Sequence, residues 1–210
     1  MALNKPQSLQ EYMTVADGIN LMKQLSQALV RYISYGEIKQ LSAIASILAK
    51  NPELKAWFQK WLVPNQDKIV GWVGKSFNAQ EWQLADQFAP GKVVERSNNP
   101  IHNWTLSPEV AKEYATGSAD KSANEHVGGY IAKQEMSKQD VILAVSKVSD
   151  VFNEWKDSDW GEGVLGSGSD KGKEFMKWVV SLANSAHHFK DEQEILADGK
   201  VHSPVIVQKY

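Results

Sequence analysis

The stretch Phe189-Lys190-Asp191-Glu192-Gln193-Glu194-Ile195-Leu196-Ala197 joins a charged segment to an apolar run near the end of a 210-residue chain. Short apolar runs bounded by turn residues are typical of strands, so residues 194–196 are predicted to form one. Pro204-Val205-Ile206-Val207 is predicted to form the next strand. The turn Asp198-Gly199-Lys200 between the two runs therefore predicts a C-terminal hairpin.

Far upstream of this stretch, residues 8–62 have the pattern of helices. Apolar residues recur there every three or four positions, as on one face of a helix: Ile19, Met22, Leu25, Leu29 and Ile33. A second helix follows the break at Tyr35-Gly36. A third is predicted to begin at Asn51-Pro52, with Asn51 as its N-cap and Pro52 in its first turn.

Short strands and short helices are predicted after Asp67. The expected strands are Lys68–Val73, Ile101–Thr105 and Val141–Val145, and the expected helices are Gln80–Phe88 and one that begins at Pro108 with Ser107 as its cap. Residues 175–182 fit a helix or a strand, and the glycine- and serine-rich residues 157–172 are expected to form a surface loop. Helices followed by strands predict an α+β fold, with a helical lobe over residues 1–65 and a core over residues 66–210.

The composition excludes several classes of function. A formal net charge of −2 provides no basic field, so direct binding of nucleic acid is not expected. Without cysteine the chain forms no disulfide, thiolate nucleophile or cysteine-ligated zinc site. The first residues lack the apolar run of a secretory signal, and no segment approaches the roughly 20 apolar residues of a membrane-spanning helix. An intracellular protein without a membrane partner is expected.

Two motifs of other protein classes are incomplete. Residues 71–76, Gly-Trp-Val-Gly-Lys-Ser, end like a phosphate-binding loop, but only two residues separate the glycines where four are needed to wrap a phosphate. The pair His187-His188 offers two metal-ligating side chains, but adjacent histidines on a strand would point to opposite faces, and polar loop residues are the simpler interpretation. Neither a P-loop nor a metal site is therefore predicted.

Three segments, in this order, resemble the ADP-ribosyltransferase family, and within it the small arginine-specific bacteriophage enzymes of the Mod type. Ile101 to Ala111 resembles the family's strand with a Ser-Thr-Ser-like motif, followed by a helix. Asp140 to Val145 is placed like a central strand of the NAD-binding core. Glu192-Gln193-Glu194 resembles the Glu-x-Glu motif. The resemblance covers residues 66–210 and implies a split β-sheet core behind the helical lobe.

The resemblance implies an enzyme that splits NAD and transfers its ADP-ribose to arginine on a host protein, without a metal. The expected location is the host cytoplasm, or the virion if the enzyme is packaged. Positive charge develops on the ribose as the bond to nicotinamide breaks, and the resemblance assigns its stabilisation to Glu194. Glu192 would position the acceptor arginine and relieve it of a proton, on the same face as Glu194 if the chain is extended.

The same resemblance implies further contacts to NAD and to the target. Thr105 and Ser107 would support Glu194 and the ribose by hydrogen bonding, and Trp72 or Trp104 would stack on nicotinamide. Residues 186–191 would form the loop that meets the target protein. Each role has a simpler alternative. The two glutamates can be the solvated side of an edge strand. The two hydroxyls can serve simply as helix caps, and the two tryptophans can belong to the core.

One departure from the family concerns the cation that grips the NAD phosphates. The family's first strand normally ends in an arginine, but residues 68–75 contain none, and the chain has only Arg31 and Arg96. Lys75 or Arg96 is the candidate replacement, although lysine lacks the planar two-pronged donor geometry of arginine. The alternative function is therefore a catalytically degenerate protein of the same fold that binds and masks a host factor, with a phage structural protein as a third possibility.

Overall fold

In a computed structural model of the chain, the described residues are 16–61, 63–83, 85–96, 99–118, 126–156, 170–188, 193–201 and 203–210. The helices are α1 (Ala16–Tyr35), α2 (Lys39–Lys50), α3 (Pro52–Trp61), α4 (Ala79–Trp82), α5 (Pro108–Ala115), α6 (Val145–Lys156) and α7 (Asp170–His188). The strands are β1 (Lys68–Phe77), β2 (Ile101–Thr105), β3 (Gly128–Ser137), β4 (Val141–Ala144), β5 (Glu194–Asp198) and β6 (Val205–Lys209). Short 3-10 turns cover Ala85–Phe88 and Lys138–Asp140. The predicted α+β class is confirmed.

The chain divides into two compact units. Residues 1–62 and 145–190 form a helical unit, and residues 63–144 and 191–210 form a sheet unit. The sequence predicts one continuous core over residues 66–210. In the structure α6 and α7, which fall within this range, belong to the helical unit. The segment 175–182, which fits a helix or a strand by sequence, lies within α7.

The helical unit is held by the apolar stripes that the sequence predicts. Leu25 and Leu29 of α1 and Ile44 of α2 are fully buried. The hydroxyl of Ser149 on α6 donates to the Ala183 carbonyl of α7 at 3.3 Å, which adds a polar contact between these helices. Among the described residues, no helix combines the length and the hydropathy that crossing a bilayer requires.

The sheet unit contains one antiparallel sheet of six strands in the order β4-β5-β2-β1-β3-β6. β1 is longer than predicted and runs through Gly74-Lys75-Ser76, paired with β3 along its whole length. An extended, paired strand cannot wrap a phosphate, which agrees with the rejection of the P-loop. Gln80–Phe88, predicted as one helix, consists of α4 and a separate 3-10 turn.

Two predictions about the order of the strands are wrong. β5 and β6 do not form a hairpin, since β5 lies between β4 and β2 while β6 pairs with β3 at the opposite edge. β4, which the resemblance implies is a central strand, is the other edge of the sheet. Pairing over long sequence separations decides both positions, and local turn signals contain no information about it.

An ion pair and a capping box fix the start of β4. The Asp140 carboxylate accepts hydrogen bonds from the Ser137 backbone N–H at 3.0 Å and the Ser137 hydroxyl at 2.7 Å. It also lies 3.0 Å from Lys200 Nζ, in the loop after β5. Burial alone would raise the pKa of Asp140, but the hydrogen bonds from Ser137 and Lys200 outweigh it and hold the pKa below its ordinary value.

We expect Asp140→Asn to destabilise the protein by about 1 kcal/mol at pH 7, because it removes the charge that Ser137 and Lys200 bind. A carboxylate with a lowered pKa stabilises the fold above its unfolded pKa of about 3.9, and this contribution is lost as the pH falls through the lower folded value. Urea unfolding should therefore separate the variant from the wild type at pH 7 and much less at pH 3. An equal difference at both pH values would contradict this role of the carboxylate.

Candidate functional site

Three predicted site residues lie in one row across the sheet. Trp72 of β1 pairs with Thr105 of β2, and Thr105 pairs with Glu194 of β5. Directly paired residues of adjacent strands project to the same face of a sheet. The side chains of Trp72, Thr105 and Glu194 therefore share one face. In the sequence, Thr105 follows Trp72 by 33 residues and Glu194 follows Thr105 by 89 residues.

The row lies where the sheet opens. β1 and β2 share the single registered pair Trp72–Thr105, whereas β1 and β3 are paired from Lys68 to Phe77. A cavity of about 130 Å³ lies beside this pair. Its lining residues are Trp72, Val73, Gly74, Asn103, Trp104, Thr105, Val110, Tyr114 and Glu194. Drug-sized ligands occupy roughly 300–1,000 Å³, so this cavity suits one ring or one sugar.

Helix α5 forms one wall of the cavity through Val110 and Tyr114. The helix lies directly on β1 and β3, because a Cβ built at Gly74 would overlap the carbonyl oxygen of Ala111 and one at Gly129 would overlap that of Ala115. Residues without a Cβ are needed for such a close backbone approach. The two glycines thus determine how far the helical wall stands from the row.

Glu194 is half-buried at the first position of β5. The preceding Gln193 has φ of 48°, a left-handed conformation, and its carbonyl accepts the Leu106 N–H at 3.0 Å. The chain is therefore turned, not extended, immediately before Glu194, so the condition under which Glu192 would share the face of Glu194 is not met at Gln193. Glu192 itself lies outside the described residues, as do residues 189–191 of the predicted target loop, while residues 186–188 end α7.

The two tryptophans differ in what they offer a ligand. Trp104 is 2% exposed and packs in the hydrophobic core with Ile69 and Ile195, with the Arg96 guanidinium 4.7 Å from its ring centre. A ring this buried has no open face, so the prediction that Trp104 stacks on nicotinamide is wrong. Trp72 is half-buried and keeps a side toward the cavity.

The side chain of Trp104 points to the face of the sheet opposite the row, because Trp104 alternates with Thr105 along β2. Its indole Nε1 is buried and has no hydrogen-bond partner among the described residues. Thr105 is also buried at the cavity wall, and its Oγ1 accepts the Ser107 N–H at 3.1 Å.

Ser107 caps the helix, as its simpler interpretation predicts. Its hydroxyl accepts the Val110 N–H at 3.2 Å and donates to the Glu109 carboxylate at 3.0 Å. Pro108 occupies the first helical turn. Ser107 does not line the cavity, and its support of the ribose stays a prediction.

Lys75 lies apart from the row. Lys75 follows Trp72 by three positions on β1, so their side chains point to opposite faces of the sheet. Lys75 pairs with Tyr130 of β3 and lines a second cavity, of about 520 Å³. Its Nζ is 2.7 Å from the Glu81 carboxylate, with both side chains partly exposed. Hydrogen bonding to Lys75 and to the Asn78 backbone lowers the pKa of Glu81, so the acid stays ionised at neutral pH.

Sequence reasoning missed the contribution of α5 to the site. Val110 and Tyr114 are four residues apart, and this spacing places them on one helical face. The spacing is visible in the sequence, but only the close packing of α5 on β1 shows that this face meets Glu194 and Thr105. Asn103, also missed, lines the cavity from β2.

Comparisons of the chain with protein-family models, with curated proteins and with solved structures each give no match. The function is therefore inferred from the residues of the cavity and their chemistry.

Proposed function

We propose that this chain is a mono-ADP-ribosyltransferase that breaks the bond between nicotinamide and ribose in NAD and transfers ADP-ribose to arginine on a host protein. The observation that supports the proposal is the row of Glu194, Thr105 and Trp72, which lies in a ring-sized cavity where β1 and β2 separate. A carboxylate, a hydroxyl and an aromatic wall are the groups that the nicotinamide end of NAD requires.

The carboxylate of Glu194 would act on the ribose. When the bond between ribose C1′ and the pyridine nitrogen breaks, its electron pair leaves with nicotinamide and the sugar becomes positively charged. A fixed negative charge stabilises this state more than the ground state, which is the condition for catalysis. Because Glu194 is half-buried beside apolar walls, its field is screened less than that of an exposed acid.

The aromatic walls would hold the leaving ring. Trp72 and Tyr114 reach the cavity from β1 and α5, and flat aromatic surfaces suit a flat pyridine ring. The transfer is completed when a guanidinium nitrogen of the acceptor forms the new bond to C1′ and gives up a proton.

The acceptor step assigns a separate role to Glu192. We expect Glu192→Ala to lose transfer to arginine while it retains some hydrolysis of NAD, because water needs less positioning than a guanidinium group. Parallel assays with an arginine analogue and with water as acceptor measure the two reactions. An equal loss in both would count against an acceptor role.

Incubation of the purified protein with labelled NAD and a bacterial host lysate tests the proposal. A labelled protein band is the expected result. The competing function is a non-enzymatic protein that binds a host factor, and the engagement of the first-strand cation Lys75 by Glu81 favours it. Stable co-purification of a host protein with no label at any NAD concentration would support that alternative and reject the transferase.

A further inference from the structure

Asn103 is a polar residue of the cavity that the proposed reaction at Glu194 does not use. It lies two positions before Thr105 on β2, so its side chain projects to the same face of the sheet as the row. It is exposed and lines the cavity together with Glu194 and Trp72. The Asn103 side chain can therefore reach a ligand that is bound beside the row.

The backbone of Asn103 faces β1, in the region where β1 and β2 separate. At the two ends of β5, the Leu106 N–H donates to the Gln193 carbonyl at 3.0 Å and the Gly199 N–H donates to the Pro100 carbonyl at 3.0 Å. Successive residues of an antiparallel strand direct their backbone groups to opposite neighbours. Asn103 lies three positions from both Pro100 and Leu106, so its carbonyl points away from β5 and toward β1. β1 shares one registered pair with β2 and does not continue the ladder to this carbonyl.

Arg96 takes the place of β1 at the Asn103 carbonyl. Its Nη1 donates to this carbonyl at 2.7 Å, and its Nη2 donates to the Asn103 Oδ1 at 3.1 Å. One guanidinium thus binds the backbone and the side chain of the same residue through its rigid fork of donors. Its Cζ also lies 4.7 Å from the centre of the Trp104 ring, which adds a cation–π attraction. Arg96 thereby fixes the Asn103 side chain beside the opening of the sheet.

The contact with Arg96 decides which end of the Asn103 amide remains for a ligand. A guanidinium has donors and no acceptor, so only the oxygen end of the amide can face it. The Nδ2 group, with its two N–H donors, is then directed away from Arg96, and within the described part of the chain it makes no hydrogen bond. A carboxylate such as that of Glu194 is an acceptor. The cavity therefore offers a ring-sized ligand an amide donor as well as a carboxylate.

We infer that Asn103 is a specificity-determining residue whose Nδ2 donates a hydrogen bond to a carbonyl oxygen on the bound ring, and that Arg96 is the positioning residue that orients it. The inference rests on the proposed function, because the nicotinamide ring of NAD carries such a carbonyl in its amide. It deepens that function by naming the group that distinguishes a carboxamide ring from a ring of similar shape without the carbonyl. In this role Arg96 acts through Asn103.

Nicotinamide and 3-methylpyridine test the inference without NAD and without catalysis. Both rings are uncharged in mildly alkaline buffer, and only nicotinamide has the carbonyl. Titrations of the full chain, followed by tryptophan fluorescence, measure the two affinities. One hydrogen bond between neutral groups changes affinity by about fivefold, so the wild type should bind nicotinamide about fivefold more tightly than 3-methylpyridine.

Asn103→Asp separates the donor from the contact with Arg96. The new carboxylate still accepts from the guanidinium, but the N–H donors are lost. The preference for nicotinamide should fall below about twofold, while the affinity for 3-methylpyridine changes less than about twofold. Arg96→Lys should also lower the preference to about twofold, because one ammonium group does not hold two oxygens in a fixed fork. A merely structural role would weaken both rings equally and leave their ratio unchanged.

Asn65→Asp is the matched control. Asn65 is another asparagine of the sheet unit whose Oδ1 accepts from a cation, Lys138 Nζ at 3.1 Å, and it does not line the cavity. The same added charge at this position should leave the preference for nicotinamide at its wild-type value. An unchanged ratio in Asn103→Asp or in Arg96→Lys, or a wild type without the preference, would overturn the inference.

The two proposals fail separately. Cleavage of NAD that depends on Glu194, together with an unchanged ratio in Asn103→Asp, would leave the transferase standing and remove Asn103 from recognition of the ring. A preference for nicotinamide that depends on Asn103, together with no cleavage of NAD, would leave a protein that binds carboxamide rings and reject the transferase.

Discussion

Glu194→Gln should reduce NAD cleavage and label transfer at least 100-fold while leaving the fold intact. Glutamine keeps the size of the side chain but loses its negative charge, which is the property the developing positive charge on ribose requires. Removal of one preorganised electrostatic group typically costs 10²–10³-fold in rate, or about 3–4 kcal/mol. Glu194 is half-buried at the head of a paired strand, so the amide can occupy the same position. The melting temperature should change by no more than about 2 °C, as an isosteric change without a cavity implies.

A second glutamate provides the control for loss of charge. Glu135 is an exposed carboxylate on β3, paired with Lys68, and lies outside both cavities. Glu135→Gln should cleave NAD at the wild-type rate. Single-turnover rates at saturating NAD compare the three proteins without the effect of affinity. If Glu194→Gln keeps more than a third of the wild-type rate, Glu194 does not stabilise the charge on ribose and is only a half-buried residue of the cavity wall.

The elements with strong local signals are those that the sequence predicts. Ser107 followed by Pro108 marks the start of α5 by capping chemistry alone, and the hydroxyl makes the expected bond to Val110 N–H. The apolar stripe of α1 likewise needs no partner to be recognised. In contrast, Gly74 has the appearance of a loop residue, yet it belongs to a strand. Pairing with Ile131 of β3 and the close packing of α5 explain a glycine at that position.

The order of the strands cannot be obtained from local signals. Asp198-Gly199-Lys200 does form a turn, with the Val201 N–H donating to the Asp198 carbonyl at 2.9 Å. The chain then leaves β5, which lies between β4 and β2, and forms β6 beside β3 at the edge of the sheet opposite β4. A turn residue fixes the local direction of the chain but not which strand it meets next.

The site could be predicted only in part, because its residues come together through strand pairing that local signals do not determine. Residue type identifies Glu194 and Thr105 as candidates, but only the pairing of β2 with β5 brings them side by side. The burial of Trp104 is also a property of the whole sheet, since core residues of β1, β3, β4 and β5 surround it. A large aromatic residue next to a motif is thus as consistent with the core as with a ligand.

Gly74 joins the fold to the site, because its missing side chain sets the position of α5. A glycine in a strand normally costs about 0.5–1 kcal/mol relative to alanine, so Gly74→Ala would be stabilising if the position were open. Here the added Cβ would overlap the Ala111 carbonyl oxygen and lie 2.7 Å from its carbonyl carbon. Both atoms are helix backbone and cannot turn away as a flexible side chain does. The steric cost, about 3 kcal/mol by analogy with overpacked cores, exceeds the entropic gain.

Gly74→Ala should therefore lower the melting temperature by roughly 5–10 °C in a chain of this size and move α5 away from β1. Val110 and Tyr114 move with the helix, so nicotinamide binding should weaken at least fivefold even well below the melting temperature. Gly71→Ala is the control on the same strand, because its Cβ would meet side-chain atoms only, the flexible end of Met136 and two carbons of Trp104 at 3.1 and 3.2 Å. We expect a smaller loss of stability than in Gly74→Ala. Scanning calorimetry and fluorescence titration measure the two effects. An unchanged melting temperature in Gly74→Ala would show that α5 can shift without cost, and α5 could then not be the rigid wall that positions a ring against Glu194.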